Sequence, residues 1–270
     1  MSHWYGRTEC GLVIPVYTMP NASSGGTRSI RVTDVRKAKK EGFKYLFHDR
    51  EYVVLDLLPS VTTITSILAK PALEEWKIRR AIEEAFNMPA VGEEELDSYH
   101  RAVTSKAFAI TADSAEFGTK IHSAMENCLT GQSITDQPIE LRPFIKPALD
   151  WIEAEGLTDF QCEMPVAAAK TGYAGLVDCV CKKGDQVVIL DFKTKKTQED
   201  KSIFHSTDYK MQLAAYAYAV TGDVSKARCY NLFISSTEVG RFDVIEINDL
   251  DKWAEAFKSL CNVFNILKGI

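Results

Sequence analysis

The chain carries four side chains whose chemistry is complementary: an imidazole, two carboxylates and an ammonium. These are His122, Asp178, Asp191 and Lys193. Asp191 and Lys193 follow the apolar run at residues 187–190, which is typical of a strand that is covered on both faces. Because side chains alternate along a strand, Asp191 and Lys193 project to one face and Phe192 projects to the other. The sequence therefore predicts a carboxylate and an ammonium side by side at a strand end, either as a simple ion pair or as part of a site.

Asp178 lies in the preceding predicted strand, residues 173–181, with apolar neighbours on both sides. A buried carboxylate without a partner is unfavourable by on the order of several kcal/mol, so a partner is expected. The hairpin offers Asp191, Lys193 or a cation that bridges the two aspartates. Oxygen ligands suit Mg²⁺ or Mn²⁺, so the two aspartates favour a divalent metal site over an isolated turn or ion-pair residue.

Two predicted helices bring further polar residues. His122 and Glu126 are four residues apart beside an apolar stripe and share one helix face, and residues 113–116 resemble a capping box that starts this helix. The spacing is not HExxH, which disfavours zinc-protease chemistry and leaves a satisfied boundary histidine as the alternative. Gln212 and Tyr216 share one face of the second helix, which on its own is an amphipathic helix with a polar edge.

The elements that position these residues follow from the patterning. Strand-like alternation at residues 12–17 and 52–55, on either side of a loop at 21–26, predicts a small N-terminal sheet or ribbon. Ser60 can cap a helical region that is interrupted at Pro71 and then resumes. From about residue 113 the predicted order is helix, three strands, helix, two strands, helix, which is the pattern of an α/β or α+β core.

Composition limits the class of protein. The chain of 270 residues is 46% hydrophobic and 26% charged, as in ordinary globular proteins. It has no basic start followed by an apolar stretch and no run of about eighteen apolar residues, which predicts a cytoplasmic protein that is neither exported nor membrane-spanning. Its seven cysteines show no CxxC, so free thiols are expected and a structural zinc or iron–sulfur site is not.

A net charge of -5 gives no bulk attraction for nucleic acid, so a DNA partner has to meet local basic clusters. Three such clusters are present, and solvated lysines are the alternative for each. They lie at residues 36–40, 77–80 and 193–196.

Taken together, His122-x-x-x-Glu126, Gly175-Leu-Val-Asp178, Asp191-Phe-Lys193 and Gln212-x-x-x-Tyr216 resemble the RecB-like exonuclease branch of the PD-(D/E)XK nuclease superfamily. The similarity covers roughly residues 113–235 and is greatest to single-domain phage and mitochondrial genome-maintenance exonucleases. The resemblance implies an α/β (α+β) fold, with a restriction-endonuclease-like mixed central sheet flanked by helices. Residues 1–112 are then expected to form an N-terminal β-ribbon and helical extension that contacts DNA, and residues 113–270 the nuclease core, within one compact unit.

The resemblance also implies roles. Asp178 and Asp191 hold a catalytic Mg²⁺ or Mn²⁺, His122 adds a ligand, and Lys193 orients or activates the attacking water. Gln212 and Tyr216 match an accessory motif near the scissile phosphate, and the accessory acids are Glu126 and Glu163. Val177 stands where the name-giving motif has proline, and the chain lacks the distal cysteine cluster of relatives with an iron–sulfur cluster, so none is expected.

The predicted activity is metal-dependent hydrolysis of DNA from free ends, with single strands accepted, in replication, recombination or repair. The resemblance further suggests a phage-encoded protein that works with other replication or recombination proteins. The predicted DNA contacts are Trp76, Lys77, Arg79, Arg80, Lys195 and Lys196. The alternatives are a structure-specific DNA endonuclease, a catalytically silent DNA-binding module of the same fold, and a two-carboxylate hydrolase that acts on sugars.

Overall fold

A five-stranded mixed sheet forms the centre of the protein. The computed structural model describes residues 4–20, 26–89, 92 and 95–270. The strands are β7 (Thr158–Ala168), β8 (Tyr173–Lys183), β9 (Gln186–Lys195), β10 (Ala227–Ser235) and β11 (Phe242–Glu246). Their order across the sheet is β11-β10-β9-β8-β7, with β9 and β10 parallel and all other neighbours antiparallel. The predicted mixed α+β class is confirmed.

Helices cover both faces of this sheet. On one face, α4 (Leu96–Leu129) and α5 (Arg142–Ala154) pack on Val188, Leu190 and Phe192 of β9. On the other face lie α2 (Val61–Thr65), α6 (Thr207–Thr221) and α7 (Leu250–Lys268). Strand β9 is therefore buried on both sides, which explains its continuous apolar run and confirms that Phe192 points away from Asp191.

One prediction about the helices is wrong, and one helix was not predicted. Helix α4 begins at Leu96 and runs through residues 113–116, so no capping box starts a helix there. The proposed division at residues 112 and 113 falls inside this helix. Helix α5 was not predicted, because Pro143 and Pro147 lie in its sequence and proline usually marks a break. Pro143 stands in the first turn, where its missing N–H has no partner to lose.

The N-terminal region forms a second sheet, as predicted. Its strands are β1 (Trp4–Thr8), β2 (Val13–Val16), β5 (Phe43–Phe47) and β6 (Arg50–Pro59), in the order β2-β1-β6-β5, with α1 (Val32–Glu41) packed on it. A short ribbon pairs β3 (Met19–Pro20) with β4 (Thr27–Arg28). Most of the predicted loop at 21–26 lies outside the described residues.

Several contacts join the N-terminal region to the rest of the protein, among them a strand bridge and an ion pair. Ser60, which caps α2 by accepting from the Thr63 backbone N–H, also pairs in parallel with Ala174 of β8. Helix α3 (Pro71–Phe86) has no buried residue, and Lys70 at its start pairs with Asp208 of α6 at 2.6 Å. Within the described residues, we find no helix with the length and apolarity needed to cross a membrane.

Candidate active site

The hairpin of β8 and β9 opens where the two predicted aspartates face each other. The strands pair from Lys183 and Gln186 at the turn as far as Cys179 and Leu190. Beyond that pair, the Asp178 carboxylate accepts the backbone N–H of Phe192 at 2.8 Å. A side-chain hydrogen bond thus replaces strand pairing and places the Asp178 carboxylate at the edge of β9.

Asp191 is fully buried and accepts two hydrogen bonds, one from Lys193 and one from Asn231. Lys193 Nζ lies 2.8 Å from Oδ1 and 2.6 Å from Oδ2, and Asn231 Nδ2 donates to Oδ2 at 2.6 Å. Burial raises the pKa of Asp191 to about 6, against the opposing charge of Lys193 and with added repulsion from Asp178. For Lys193, burial acts to lower the pKa, but Asp191 and Asp178 together hold it above its ordinary value. Both groups are therefore charged at neutral pH.

His122 reaches this site from α4. Its Nδ1 lies 3.6 Å from Asp178 Oδ2, and its ring stands edge-on to Phe192 with centroids 5.9 Å apart. The aromatic contact fixes the plane of the imidazole beside the carboxylate. The structure thus brings together His122, Asp178, Asp191 and Lys193.

The two accessory acids lie on the same side of the site. The register of β7 on β8 places Glu163 opposite Asp178, between the pairs formed by Cys162 with Cys179 and Met164 with Val177. Burial, together with the charges of Asp178 and Glu126, raises the pKa of Glu163 to about 7. Its backbone φ of 49° is unusual for a residue with a side chain, so local strain accompanies this position.

Gln212 and Tyr216 meet each other one helical turn apart on α6. Gln212 Nε2 donates to Tyr216 Oη at 3.1 Å, and the Tyr216 ring is buried. Burial raises the Tyr216 pKa, with smaller contributions from the charges of Asp191 and Asp178, so the ring lies within their field. A Cβ at Gly175 would lie 2.5 Å from Tyr216 Cε1, so glycine is what lets the ring approach β8.

The donor set fits a hard divalent cation, although no ligand cage is formed in this conformation. Among the described residues, no three His, Cys, Asp or Glu side chains stand together in metal-ligating geometry. The side chains present are nevertheless carboxylate oxygens and one imidazole nitrogen, which suit Mg²⁺ or Mn²⁺. Burial, and to a smaller extent repulsion from neighbouring acids, raises the pKa of Glu163 and Asp191, so a positive ion between the carboxylates would stabilise their charged forms.

Sequence reasoning missed three residues around Lys193 and Asp191. Asn231 interrupts the apolar run of β10, and an amide in such a run is a signal that could have identified it. His205 contacts Asn231, and Lys193 Nζ lies 5.1 Å from the centroid of the Tyr209 ring. No periodic pattern marks His205 or Tyr209, because His205 precedes α6 and Tyr209 lies in its first turn.

The predicted DNA contacts lie in two places. Beside the site, Lys195 Nζ donates to the Phe204 carbonyl at 2.6 Å and lies 4.9 Å from the Tyr209 ring centroid, and Lys196 is exposed. On α3, Trp76 is 38% exposed and contacts Phe108 of α4.

The basic residues of α3 pair with acids of the same helix. The ion pairs are Lys77 with Glu74, Arg79 with Glu75, and Arg80 with Glu83 and Glu84. Such exposed pairs are weak and can exchange for phosphate, so the role of α3 in DNA binding stays a prediction.

Comparison with known proteins gives one family. Residues 140–269 match the model of the PD-(D/E)XK nuclease superfamily. A search of curated proteins gives no match. Among solved structures, one titled "Crystal structure of SSO0001" is similar at 15% identity and a TM-score of 0.32, covering 70% of this chain and 86% of that chain.

The family match contains Asp178, Asp191, Lys193, Gln212 and Tyr216, whereas His122 lies before it. This part of the chain is thus similar to PD-(D/E)XK nucleases, and the central mixed sheet with flanking helices is consistent with a restriction-endonuclease-like fold. The superfamily implies metal-dependent nuclease activity, which hydrolyses phosphodiester bonds, with DNA as the substrate and a divalent metal ion as the usual cofactor.

Proposed function

We propose that this protein is a Mg²⁺- or Mn²⁺-dependent DNA exonuclease of the RecB-like branch, which acts from free ends and accepts single strands. The observation that carries the proposal is the pair of aspartates on β8 and β9, with Lys193 held against the buried Asp191. Burying a carboxylate and an ammonium together costs free energy, because both charges lose their water. A catalytically silent module of this fold has no need of such a buried pair.

The proposed roles follow from position. Asp178, Asp191 and His122 would hold the ion, with Glu163 and Glu126 as accessory acids. A bound Mg²⁺ or Mn²⁺ supplies activation of water and neutralises charge on the phosphate. Lys193 presents an ammonium that can donate to the attacking water or to a phosphate oxygen. Gln212 and Tyr216, joined by a hydrogen bond, line the α6 side of the site.

The surface beside Lys193 supports a single-stranded substrate. Phe204, in the segment that joins β9 to α6, is 78% exposed. The Lys195 ammonium lies 6.0 Å from its ring centroid and reaches its carbonyl. An exposed aromatic ring next to a cation can stack an unpaired base while the cation meets its phosphate. The likeness of the four motifs to single-domain exonucleases supports action from ends, in recombination or repair.

A digestion assay tests this proposal. The substrates are end-labelled linear single strands, linear duplex and closed circular single strands, each with Mg²⁺, Mn²⁺ or EDTA. We expect linear single strands to be degraded with either metal, circles to resist, and EDTA to stop the reaction. Cleavage of circles as fast as linear strands would favour the endonuclease alternative. Full activity in EDTA, or no cleavage of any substrate, would refute a metal-dependent exonuclease.

A further inference from the structure

A chain of two hydrogen bonds leads away from Asp191 to Asn231 and His205, which the proposed function leaves without a role. We propose that Asn231 is a positioning residue that fixes the orientation of the Asp191 carboxylate, and that His205 fixes the orientation of Asn231. The inference rests on the proposed function, since it concerns the carboxylate assigned there to the metal.

The sheet register places Asn231 beside Asp191. The two residues are paired partners in the parallel ladder of β9 and β10, so their side chains leave the same face of the sheet. Both residues are fully buried. Asn231 Nδ2 donates to Asp191 Oδ2 at 2.6 Å, and Asn231 Oδ1 lies 2.8 Å from His205 Nε2. Both ends of the buried amide are therefore satisfied.

The direction of each hydrogen bond follows from the chemistry of the groups. An ionised carboxylate only accepts, so Asn231 must turn its NH₂ toward Asp191 and its carbonyl toward His205. That carbonyl also only accepts, so His205 must carry a proton on Nε2. The chain thus runs as donation from His205 to Asn231 and from Asn231 to Asp191.

The chain distinguishes the two oxygens of Asp191. Oδ1 accepts from Lys193 and Oδ2 accepts from Asn231, while the Lys193 ammonium also lies 2.6 Å from Oδ2 as an ion pair. Each oxygen has its own donor, which fixes the rotation of the carboxylate and leaves each oxygen capacity for a further partner. Lys193 is long and rotatable, whereas Asn231 is short and set in the sheet, so Asn231 is the partner that defines this orientation.

Aromatic contacts hold the far end of the chain. The His205 ring stands edge-on to Phe233 of β10 with centroids 5.8 Å apart and lies 6.4 Å from Tyr209 of α6. These contacts restrict the imidazole to an orientation in which Nε2 meets Asn231. Orientation of the metal-binding carboxylate therefore depends on the packing of the start of α6 against β10.

The first experiment measures Mn²⁺ affinity by calorimetry, together with kcat and KM on a linear single strand. Variants Asn231→Leu and His205→Leu each remove a donor with little change in size. Loss of a group that supports a metal ligand typically lowers affinity or rate by roughly 10–100-fold. We expect a loss of that size in Mn²⁺ affinity and kcat for Asn231→Leu, a smaller loss for His205→Leu, and KM for DNA within about twofold.

Two further variants separate positioning from general structural damage. His205→Gln keeps an N–H at a similar reach and should restore most of what His205→Leu loses. Gln186→Leu removes the hydrogen bond from Gln186 to the Lys226 carbonyl, at the opposite end of the same β9–β10 pair. It should leave Mn²⁺ affinity and kcat unchanged. Equal losses in Gln186→Leu and Asn231→Leu, or wild-type values in Asn231→Leu, would overturn the inference.

The second experiment reads the hydrogen bonds directly, without metal or DNA. In the protein with ¹⁵N-labelled histidine, at mildly alkaline pH, we expect the His205 signals to show the Nε2–H tautomer, and His205→Gln identifies them. In Asn231→Leu, the His205 ring should no longer favour the Nε2–H tautomer. A His205 ring with the proton on Nδ1 would refute the chain.

These readouts distinguish the two proposals. If the wild-type protein cleaves no DNA but Asn231→Leu still weakens Mn²⁺ binding, the nuclease proposal fails and the positioning role stands for the metal site. If the wild-type protein binds no Mn²⁺, both fail. If Asn231→Leu does not fold, His205→Leu and its rescue by His205→Gln decide the inference.

Discussion

One methyl group at Gly175 should disable the site without touching a carboxylate. In Gly175→Ala the new carbon would lie 2.5 Å from Tyr216 Cε1, whereas carbon atoms in ordinary contact are about 3.5–4.0 Å apart. The ring or strand β8 therefore has to move by about 1 Å. Tyr216 cannot move freely, because its neighbours Ala215 and Ala217 on α6 are buried as well.

The expected magnitude follows from two opposing contributions. Forcing an extra methyl group into a packed interior costs roughly 1–3 kcal/mol. Replacing glycine by alanine in a strand returns roughly 0.5–1 kcal/mol. The net loss in unfolding free energy is then about 0–2.5 kcal/mol, and its middle value, about 1.2 kcal/mol, corresponds to a fall in Tm of roughly 2–5 °C for a protein of this size. A displacement of about 1 Å in an active site can lower the rate by roughly 100-fold.

The assay pairs thermal melting with single-turnover cleavage of a linear single strand. Gly118→Ala is the matched control, because its Cβ would lie at an ordinary 3.8 Å from Thr194, and alanine favours helix α4. We expect Gly118→Ala to melt at or above the wild-type temperature and to cleave normally. Gly175→Ala with wild-type Tm and rate would refute the close approach of Tyr216. A lowered Tm with an unchanged rate would refute a role for Tyr216 in the site.

Four further outcomes are expected. Asp191→Asn should abolish cleavage and weaken Mn²⁺ binding in calorimetry; retained cleavage would exclude Asp191 as a ligand. Lys193→Ala should lower kcat by roughly 100-fold or more while Mn²⁺ affinity is largely kept, and it should lower Tm because the buried Asp191 loses a charged partner; lost Mn²⁺ affinity in a folded variant would contradict this role. Phe204→Ala should weaken binding of single strands, by roughly 1–3 kcal/mol if one base stacks there, but not duplex, in fluorescence titrations; equal losses for both would argue against stacking. The Arg28 guanidinium, with help from the Arg31 backbone N–H, lowers the pKa of Asp34, so its stabilisation is present above the unfolded-state pKa and is lost as pH falls through the folded-state value. Asp34→Asn should reduce the fall in unfolding free energy that urea unfolding measures as the pH is lowered; an unchanged pH dependence would show that Asp34 does not cause it.

Local patterning was sufficient for the hairpin and its charged residues. Alternation along β9 predicted that Asp191 and Lys193 share a face, and the apolar run predicted that this strand is covered on both sides. These inferences succeed because they depend only on strand geometry and on the cost of burying charge. The contact of His122 with Asp178 could not be predicted from strand geometry alone, since the two residues come from elements far apart in the chain. The family resemblance supplied that step.

Features that depend on tertiary packing could not be predicted in this way. Helix α5 tolerates Pro147 because its apolar face packs on the sheet, which outweighs what the proline costs in local structure. The partner of Asn231 depends on β9 and β10 being parallel neighbours in a particular register, and no single segment encodes that pairing. His205 is placed by the start of α6 rather than by any motif of its own.

The opening of the hairpin at Asp178 follows from the charges themselves. If the antiparallel register of β8 and β9 continued past Cys179 and Leu190, the next pair would set Asp178 directly opposite Asp191. Like charges opposite each other destabilise a sheet, and here both would lie in a buried environment. Instead, Asp178 accepts the Phe192 N–H, while Asp191 turns to Lys193 and Asn231. The same repulsion that ends the strand pairing leaves two carboxylates at one edge, which is the arrangement a divalent cation would stabilise.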